Sequence, residues 1–362
     1  MKIRTIALGM SGGVDSTVTA ALLLEAGYQV IGLTMLIWDP RIAVDTPVRS
    51  GCFGPGEAED LARARDMAAT LGIPHRAIRL TDAYRREVLD WYRTQYLAGR
   101  TPNPCALCNP RMKFDILPRE ARAQGVAFDA FATGHYARIV APETSEGRYR
   151  LLRGRDPDKD QSYFLARLNQ TQLAETVLPL GNLTKREVRE KASALGWDTL
   201  AEASESQDFF EGEDIGALFP AGEGTRPGPI LDADGRRIGT HRGIIYYTVG
   251  QRQGLGIATG SKCYVRRICA QTNTIVVASR AETLASGCRI RDPHWVAGTP
   301  PPPGMRCRLQ LRYRHAGVTG TITPQGPDLW EAQFDEPQFA VAPGQMAVCY
   351  AGDEVLGGGW ID

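Results

Sequence analysis

Two short stretches of this chain carry residues that could do chemistry together. The first is Ser11-Gly12-Gly13-Val14-Asp15-Ser16. It directly follows the apolar run Ile3 to Leu8 and precedes an Ala- and Leu-rich helical pattern, Thr17 to Glu25. That order reads as strand, glycine turn, helix. Adjacent glycines let the backbone curl and aim successive amides at one anion. Ser11 and Ser16 add hydroxyl donors, and the helix start adds partial positive charge. The turn is therefore built to hold a phosphate, with Asp15 a candidate to hold Mg2+ on a pyrophosphate. It lacks the lysine and the spacing of the GxxxxGK[ST] loop, so it is not the common triphosphatase cradle. The second stretch is Thr101-Pro102-Asn103-Pro104-Cys105-Ala106-Leu107-Cys108-Asn109. A Cys-x-x-Cys pair suits thiol exchange or metal ligation. Cys52 lies in the Gly-rich segment Ser50 to Gly56, a loop able to reach the same place.

These residues need a frame. With 362 residues the chain can bury a large core and divide into two or three domains. Ile3-Leu8, Val30-Met35 and Phe128-Thr133 read as strands; Ala58-Leu71, Tyr84-Leu97 and Leu183-Leu195 read as amphipathic helices, with Gly72 and Gly196 closing two of them. This is βαβ patterning, so the expected fold is α/β with a doubly wound parallel sheet. Sites in such sheets lie at the carboxyl ends of strands, where the Ser11 turn and Gly134-His135-Tyr136 both fall. After about residue 205 the texture turns β-rich, with strands expected at Tyr264-Ile268, Thr274-Ala278, Cys307-Tyr313 and Val318-Thr323. The division expected is 1–205, then a small mixed module at 206–285, then a β-barrel-like module at 286–362.

Composition excludes some classes. No apolar stretch approaches a membrane span, and Met1 leads straight into a strand, so the chain reads as cytoplasmic. Eight cysteines in such a chain argue against a disulfide framework. Cys263, Cys269, Cys288, Cys307 and Cys349 lie in β-type segments and read as core. A single Cys-x-x-Cys without matching histidines argues against structural zinc. The net charge of +1 predicts no global attraction to nucleic acid, so any RNA contact rests on local basic patches. Arg236-Arg237 and Arg266-Arg267 are candidates for such patches, although paired arginines also fit a solvated surface.

The glycine turn resembles the pyrophosphate loop of PP-loop ATPases. Further segments are similar to one branch, the tRNA-specific 2-thiouridylases. They are the Thr101-to-Asn109 stretch followed by Lys113-Phe114, then Ala132 to Arg138, Lys159 to Leu165, Thr248 to Gly256, Arg312 to His315 and Pro343 to Gln345. The resemblance spans nearly the whole chain in order. It implies ATP-dependent replacement of the C2 oxygen of a tRNA wobble uridine by sulfur. Adenylating that oxygen makes it a good leaving group; a sulfur nucleophile then attacks C2 and AMP departs. By position it implies ATP contacts from Gly9, Met10, Ser11, Gly12, Gly13, Val14, Asp15, Ser16, Met35 and Gly134. It puts Asn103, Pro104 and Cys105 against the target base and makes Cys108 the catalytic cysteine. It implies tRNA contacts from His135, Lys159, Asp160, Gln161, Arg312, Tyr313 and Gln345. It also implies a sulfur donor and a tRNA anticodon stem-loop, usually of Lys, Glu or Gln isoacceptors, as partners. His135 also fits a structural histidine, Lys159-Asp160 a surface turn, and Arg312 a solvated strand charge.

Two departures from the family pattern matter. A second cysteine usually follows a segment like Glu205-Ser206-Gln207-Asp208; here Phe210 stands in its place. Cys105 replaces the commoner aspartate. Three arrangements stay open. In one, Cys52, Cys105 and Cys108 ligate a [4Fe–4S] cluster with one iron open for hydrosulfide. In another, Cys105 and Cys108 form a persulfide relay. In the third, Cys52 is a small buried residue and only Cys108 reacts. The rival functions are a PP-loop C–N ligase and a non-catalytic tRNA-binding protein.

Overall fold

In the computed structural model, residues 4–44, 51–144, 146–202, 208–258 and 260–362 are described. Ser50, the segment 205–207 and the expected domain boundary at 205/206 lie outside them.

Five parallel strands form the first sheet, in the order His75–Arg79, Gln29–Leu36, Thr5–Gly9, Ala130–Ala132, Thr176–Val177. The central strand pairs along both edges, Ile6 with Val30 and with Ala130, and the side chains of Ile6, Ala7 and Leu8 are fully buried, so neither of its faces meets water. Its continuous apolar run follows from that position. Ile6 and Leu8 pack with Ala20, Leu23, Ala64 and Ala68 on one side, while Ala7 joins Leu33 and Phe131 on the other. The chain leaves the central strand toward Gln29–Leu36 and later returns to its other flank at Ala130–Ala132. The crevice between those two flanks is where an open parallel sheet takes a ligand.

The helices Val14–Glu25, Glu57–Thr70 and Lys185–Ala194 form close to where periodicity places them. Gly72 and Gly196 follow the last two at φ +67 and +79, a left-handed conformation that favours glycine. The expected helix Tyr84–Leu97 is instead three pieces: Thr81–Tyr84, a π-helical turn Arg85–Leu89, and Asp90–Leu97. Tyr84, Val88 and Tyr92 still share a buried face, so the side-chain spacing does not reveal the wider turn.

Beyond residue 220, four strands form a small sheet: Arg237–His241, Gly228–Leu231, Thr274–Ala278 and Tyr264–Cys269. Six more close into a barrel in the order Leu284–Trp295, Leu329–Phe339, Val318–Gly326, Met305–Gln310, Met346–Ala351, Glu354–Ile361, the last pairing back to the first. Closure removes the exposed edge strands. A hairpin from the first half, Ala137–Val140 with Arg150–Arg153, joins this sheet through Leu152 and Glu354. The expected strand Cys307–Tyr313 stops at Gln310. Arg312 to His315 form a turn, with His315 N donating to Arg312 O and Gly317 at φ +85. A two-stranded parallel pair, Gly51–Phe53 with Asp208–Phe210, ties two distant loops together.

Candidate functional site

The glycine turn sits at the carboxyl end of the central strand. Gly12 has φ +77, and a Cβ there would lie 2.7 Å from Ala64 N, so only glycine fits against the helix behind it. Gly13 is the N-cap of Val14–Glu25 with no side chain bonded back to the first amides. Those amides face an incoming anion rather than a protein acceptor. Ser16 Oγ donates to Gly13 O at 3.0 Å and accepts from Ser11 N at 3.3 Å, which holds the curl.

Asp15 is tightly engaged. Its Oδ1 accepts from Tyr136 Oη at 2.6 Å and from Lys185 Nζ at 2.7 Å; Oδ2 accepts from Lys185 Nζ at 2.9 Å. Lys185 is only 6% exposed. Gly134 backs onto the same residue: a Cβ would lie 2.9 Å from the Asp15 carbonyl carbon. The 133–136 segment therefore presses on the phosphate turn. His135 beside it is buried, its Nδ1 2.7 Å from Thr133 Oγ1. Burial, and then the charge of Lys113, hold its pKa well below the usual histidine value, so it stays neutral.

One cavity of about 1560 Å³ runs from this turn to the cysteines and on to the barrel. Of the residues expected to meet ATP, Gly9, Met10, Ser11, Asp15, Ser16, Met35 and Gly134 line it. Gly12, Gly13 and Val14 do not; Val14 is buried.

Cys105 and Cys108 lie on the five-residue helix Pro104–Cys108, capped by Asn103 Oδ1 accepting from Ala106 N. Their spacing puts both thiols on one side of the turn. A π-helical stretch, Asn109–Ile116, follows and carries Lys113 into the same cavity. Asn109 Nδ2 donates to Cys105 O at 2.9 Å. Cys105 and Cys52 line the cavity, and Cys108 is buried behind them. Cys52 opens to solvent through the cavity, and its Sγ donates to Phe209 O at 3.7 Å. Burial pushes the Cys108 thiol up to about 12, and Lys113 pulls against that shift. Cys105 is raised the same way. Cys52 is raised first by desolvation and then by the charges of Cys105 and Cys108, so the three sulfurs feel one another. Three thiols are the donor set of an iron–sulfur cluster. The Glu211 carboxylate lies beside the Cys52 loop, accepting from Gly56 N. Among the described residues, no three His, Cys, Asp or Glu side chains converge as a metal-holding group.

Phe210 is on the strand paired with that of Cys52 and is only 4% exposed. With Phe53, Phe209 and Tyr84 it forms an aromatic wall behind the thiols. Of the five cysteines read as core, Cys307 and Cys349 are buried; Cys263, Cys269 and Cys288 are partly exposed.

His135, Lys159, Asp160, Gln161 and Tyr313 line the same cavity with Arg308 and Arg314. Gln161 is bonded both ways to Tyr136, and Tyr313 stacks on Phe164 at 4.3 Å. Asp160 holds Arg153 at 2.7 Å and accepts from Gly154 N and from Ser162. Arg312 is exposed and is not among the lining residues. Gln345 lies elsewhere, donating from Nε2 to Thr101 O at 2.9 Å. The pairs Arg236-Arg237 and Arg266-Arg267 are exposed. Sequence reasoning missed Lys185, Tyr136 as a partner of Asp15, Arg153, and Glu211, a buried carboxylate on the cavity wall that accepts from Gly56 N. Long-range pairing brings these residues in, and no local pattern announces it.

No helix among the described residues is long and apolar enough to cross a membrane. Family models match three consecutive stretches: "tRNA methyl transferase HUP domain" over 4–210, "tRNA methyl transferase PRC-barrel domain" over 222–279 and "Aminomethyltransferase beta-barrel domain" over 285–361. Among solved structures, NMN synthetase from Francisella tularensis aligns at TM-score 0.34 with 19% identity, over 60% of this chain and 69% of that one. Curated relatives align end to end. The tRNA-specific 2-thiouridylase MnmA of Carboxydothermus hydrogenoformans is 42% identical, over 99% of this chain and 98% of that protein. The protein of the same name from Chloroflexus aurantiacus is 43% identical and that from Moorella thermoacetica 42%, each over 98% of both chains. With identity at this level over the full length, the chain belongs to the tRNA-specific 2-thiouridylase family.

Proposed function

We propose that this protein uses ATP to replace the C2 oxygen of a tRNA wobble uridine by sulfur. The observation that carries the reading is the single cavity joining an anion-binding glycine turn to a cysteine helix and to a wall rich in arginine and aromatic groups. In the proposed sequence the uridine O2 attacks the α-phosphorus of ATP and pyrophosphate leaves past Ser11, Asp15 and Ser16, which line the cavity at the glycine turn. A sulfur nucleophile then adds at C2 and AMP departs. Lys113 is the cation placed to favour a thiolate among Cys52, Cys105 and Cys108. The neutral His135 offers a hydrogen bond rather than a charge. On the tRNA side, Lys159, Gln161, Tyr313 and Arg314 suit backbone and base-stacking contacts. We assign ATP to 1–205, an adaptor role to 206–285 and tRNA docking to 286–362.

For the sulfur carrier, the donor set of Cys52, Cys105 and Cys108 suits a [4Fe–4S] cluster, which when bound would offer an open iron for hydrosulfide. A second reading is a persulfide on Cys108, its outer sulfur taken from a persulfide donor; that sulfur adds at C2, and Cys105 then attacks Cys108 Sγ, so the sulfur–sulfur bond breaks as a Cys105–Cys108 disulfide forms and the sulfur stays on the base. It is favoured by their place on one helical turn and by the lack of convergence of three ligands among the described residues. Iron and acid-labile sulfide near four per chain in anaerobically purified protein, lost in Cys52→Ala, support the cluster. An iron-free protein that still thiolates tRNA supports the relay. The function itself is tested by AMP formation. AMP release that requires tRNA supports thiolation. AMP release driven by a small amine or acid without tRNA points to a C–N ligase, and tRNA binding with no AMP points to a non-catalytic binder.

A further inference from the structure

The glycine turn carries no lysine, yet the structure places one there from a distant helix. Lys185 is the first residue of Lys185–Ala194, whose start is fixed by the Thr184–Glu187 capping box and by Lys185 N donating to Asp156 at 2.8 Å. Its side chain turns inward, is 7% exposed, and meets both oxygens of Asp15. A buried ammonium survives only with such a partner. Tyr136 Oη adds a third donor to the carboxylate. A carboxylate has about four lone-pair sites, so one is left, on Oδ2. Gly134 packs on the Asp15 backbone, with no space for a Cβ between them.

We propose that Lys185 is a positioning residue of the ATP site, acting through Asp15. It neutralises the carboxylate that the turn would otherwise present to a triphosphate, leaving the amides and Ser11 and Ser16 to hold the anion. It also limits Asp15 to one oxygen for a magnesium ion that ATP brings with it. In the structure the partner of Asp15 is a protein cation. This inference rests on the ATP reading given above.

The test is ATP binding by calorimetry, in EDTA and in Mg2+, for wild type, Lys185→Met, Lys185→Arg, Asp15→Asn and the Asp15→Asn/Lys185→Met double variant. Lys185→Met should weaken Mg2+-free ATP binding roughly tenfold or more, because an unopposed carboxylate then faces the phosphates. Mg2+ should recover much of that loss, since the freed oxygen can take the ion. Lys185→Arg should retain most of the affinity. The double variant should bind nearly as wild type, since the charge to be neutralised is gone. A double variant as weak as Lys185→Met would assign the loss to packing and overturn the proposal, as would a Lys185→Met variant that binds ATP normally in EDTA. A wild type that binds no ATP at all would instead overturn the ATP reading itself.

Discussion

Gln345 offers a sharp test of how the barrel and the cysteine loop work together. Its Nε2 donates to Thr101 O at 2.9 Å, Thr101 N donates to Pro343 O at 2.7 Å, and Arg100 pairs with Asp362 at 2.8 Å. These three ties hold the residues just ahead of Asn103 to Cys108 against the start of the strand Met346–Ala351 and the end of Glu354–Ile361. Gln345→Ala removes one of them and leaves a half-buried carbonyl short of a donor, at a cost of about 1–1.5 kcal/mol. If that energy is what favours the ordered loop, the competent population falls by up to about tenfold. Turnover at saturating ATP and tRNA should therefore drop by up to about tenfold, with both dissociation constants within about twofold of wild type. Adding Arg100→Met should lower turnover further but modestly, since that pair is partly exposed and worth about 1 kcal/mol or less. The assay is single-turnover formation of thiolated nucleoside beside filter-binding titrations with tRNA. A variant that keeps its saturated rate but loses tRNA affinity would refute the tie and return Gln345 to a direct tRNA contact.

Further outcomes follow from other contacts. Asp160→Ala takes the carboxylate from Arg153, which keeps only Gln310 and the Tyr350 ring, and takes the acceptor from two backbone amides; it should cost roughly 2–4 kcal/mol in denaturant titration, and an unchanged midpoint would make Asp160 a tRNA contact only. Gly134→Ala drives a Cβ into Asp15 and should abolish ATP binding, read by calorimetry, while circular dichroism stays native. All five histidines have pKa values lowered below 6.5, with burial the leading cause. The unfolded chain thus binds more protons in acid, so stability is complete above about pH 6.5 and falls as pH drops through and below it. Melting scans from pH 7.5 to 5.5 check this, and His135→Asn should flatten the slope.

The architecture was legible because its signals are local. The run Ile3 to Leu8, the glycines at 12 and 13 and the change of texture after about 205 each point to one element type. Proximity was not legible. Nothing near Lys185 predicts that a capped helix would bury its first lysine against Asp15. Cys52 reaches the site because Gly51–Phe53 pairs with Asp208–Phe210, a contact across more than half the first domain's length. Arg312 and Tyr313 read as the end of a strand because their residue types suit one. The turn that Gly317 permits instead carries Tyr313, Arg314 and His315 into the cavity. Gln345 shows the opposite limit: its place in a family motif suggests an RNA contact, whereas its amide meets Thr101.

The measurement closest to the central claim is nucleoside mass spectrometry of unmodified tRNA after incubation with the protein, ATP, and both sulfide and a persulfide donor, for wild type and Cys108→Ser. The account predicts 2-thiouridine at the wobble position, formed only with ATP, in step with AMP, and absent with the variant. AMP formation without any thiolated nucleoside, or equal thiolation by Cys108→Ser, would contradict it.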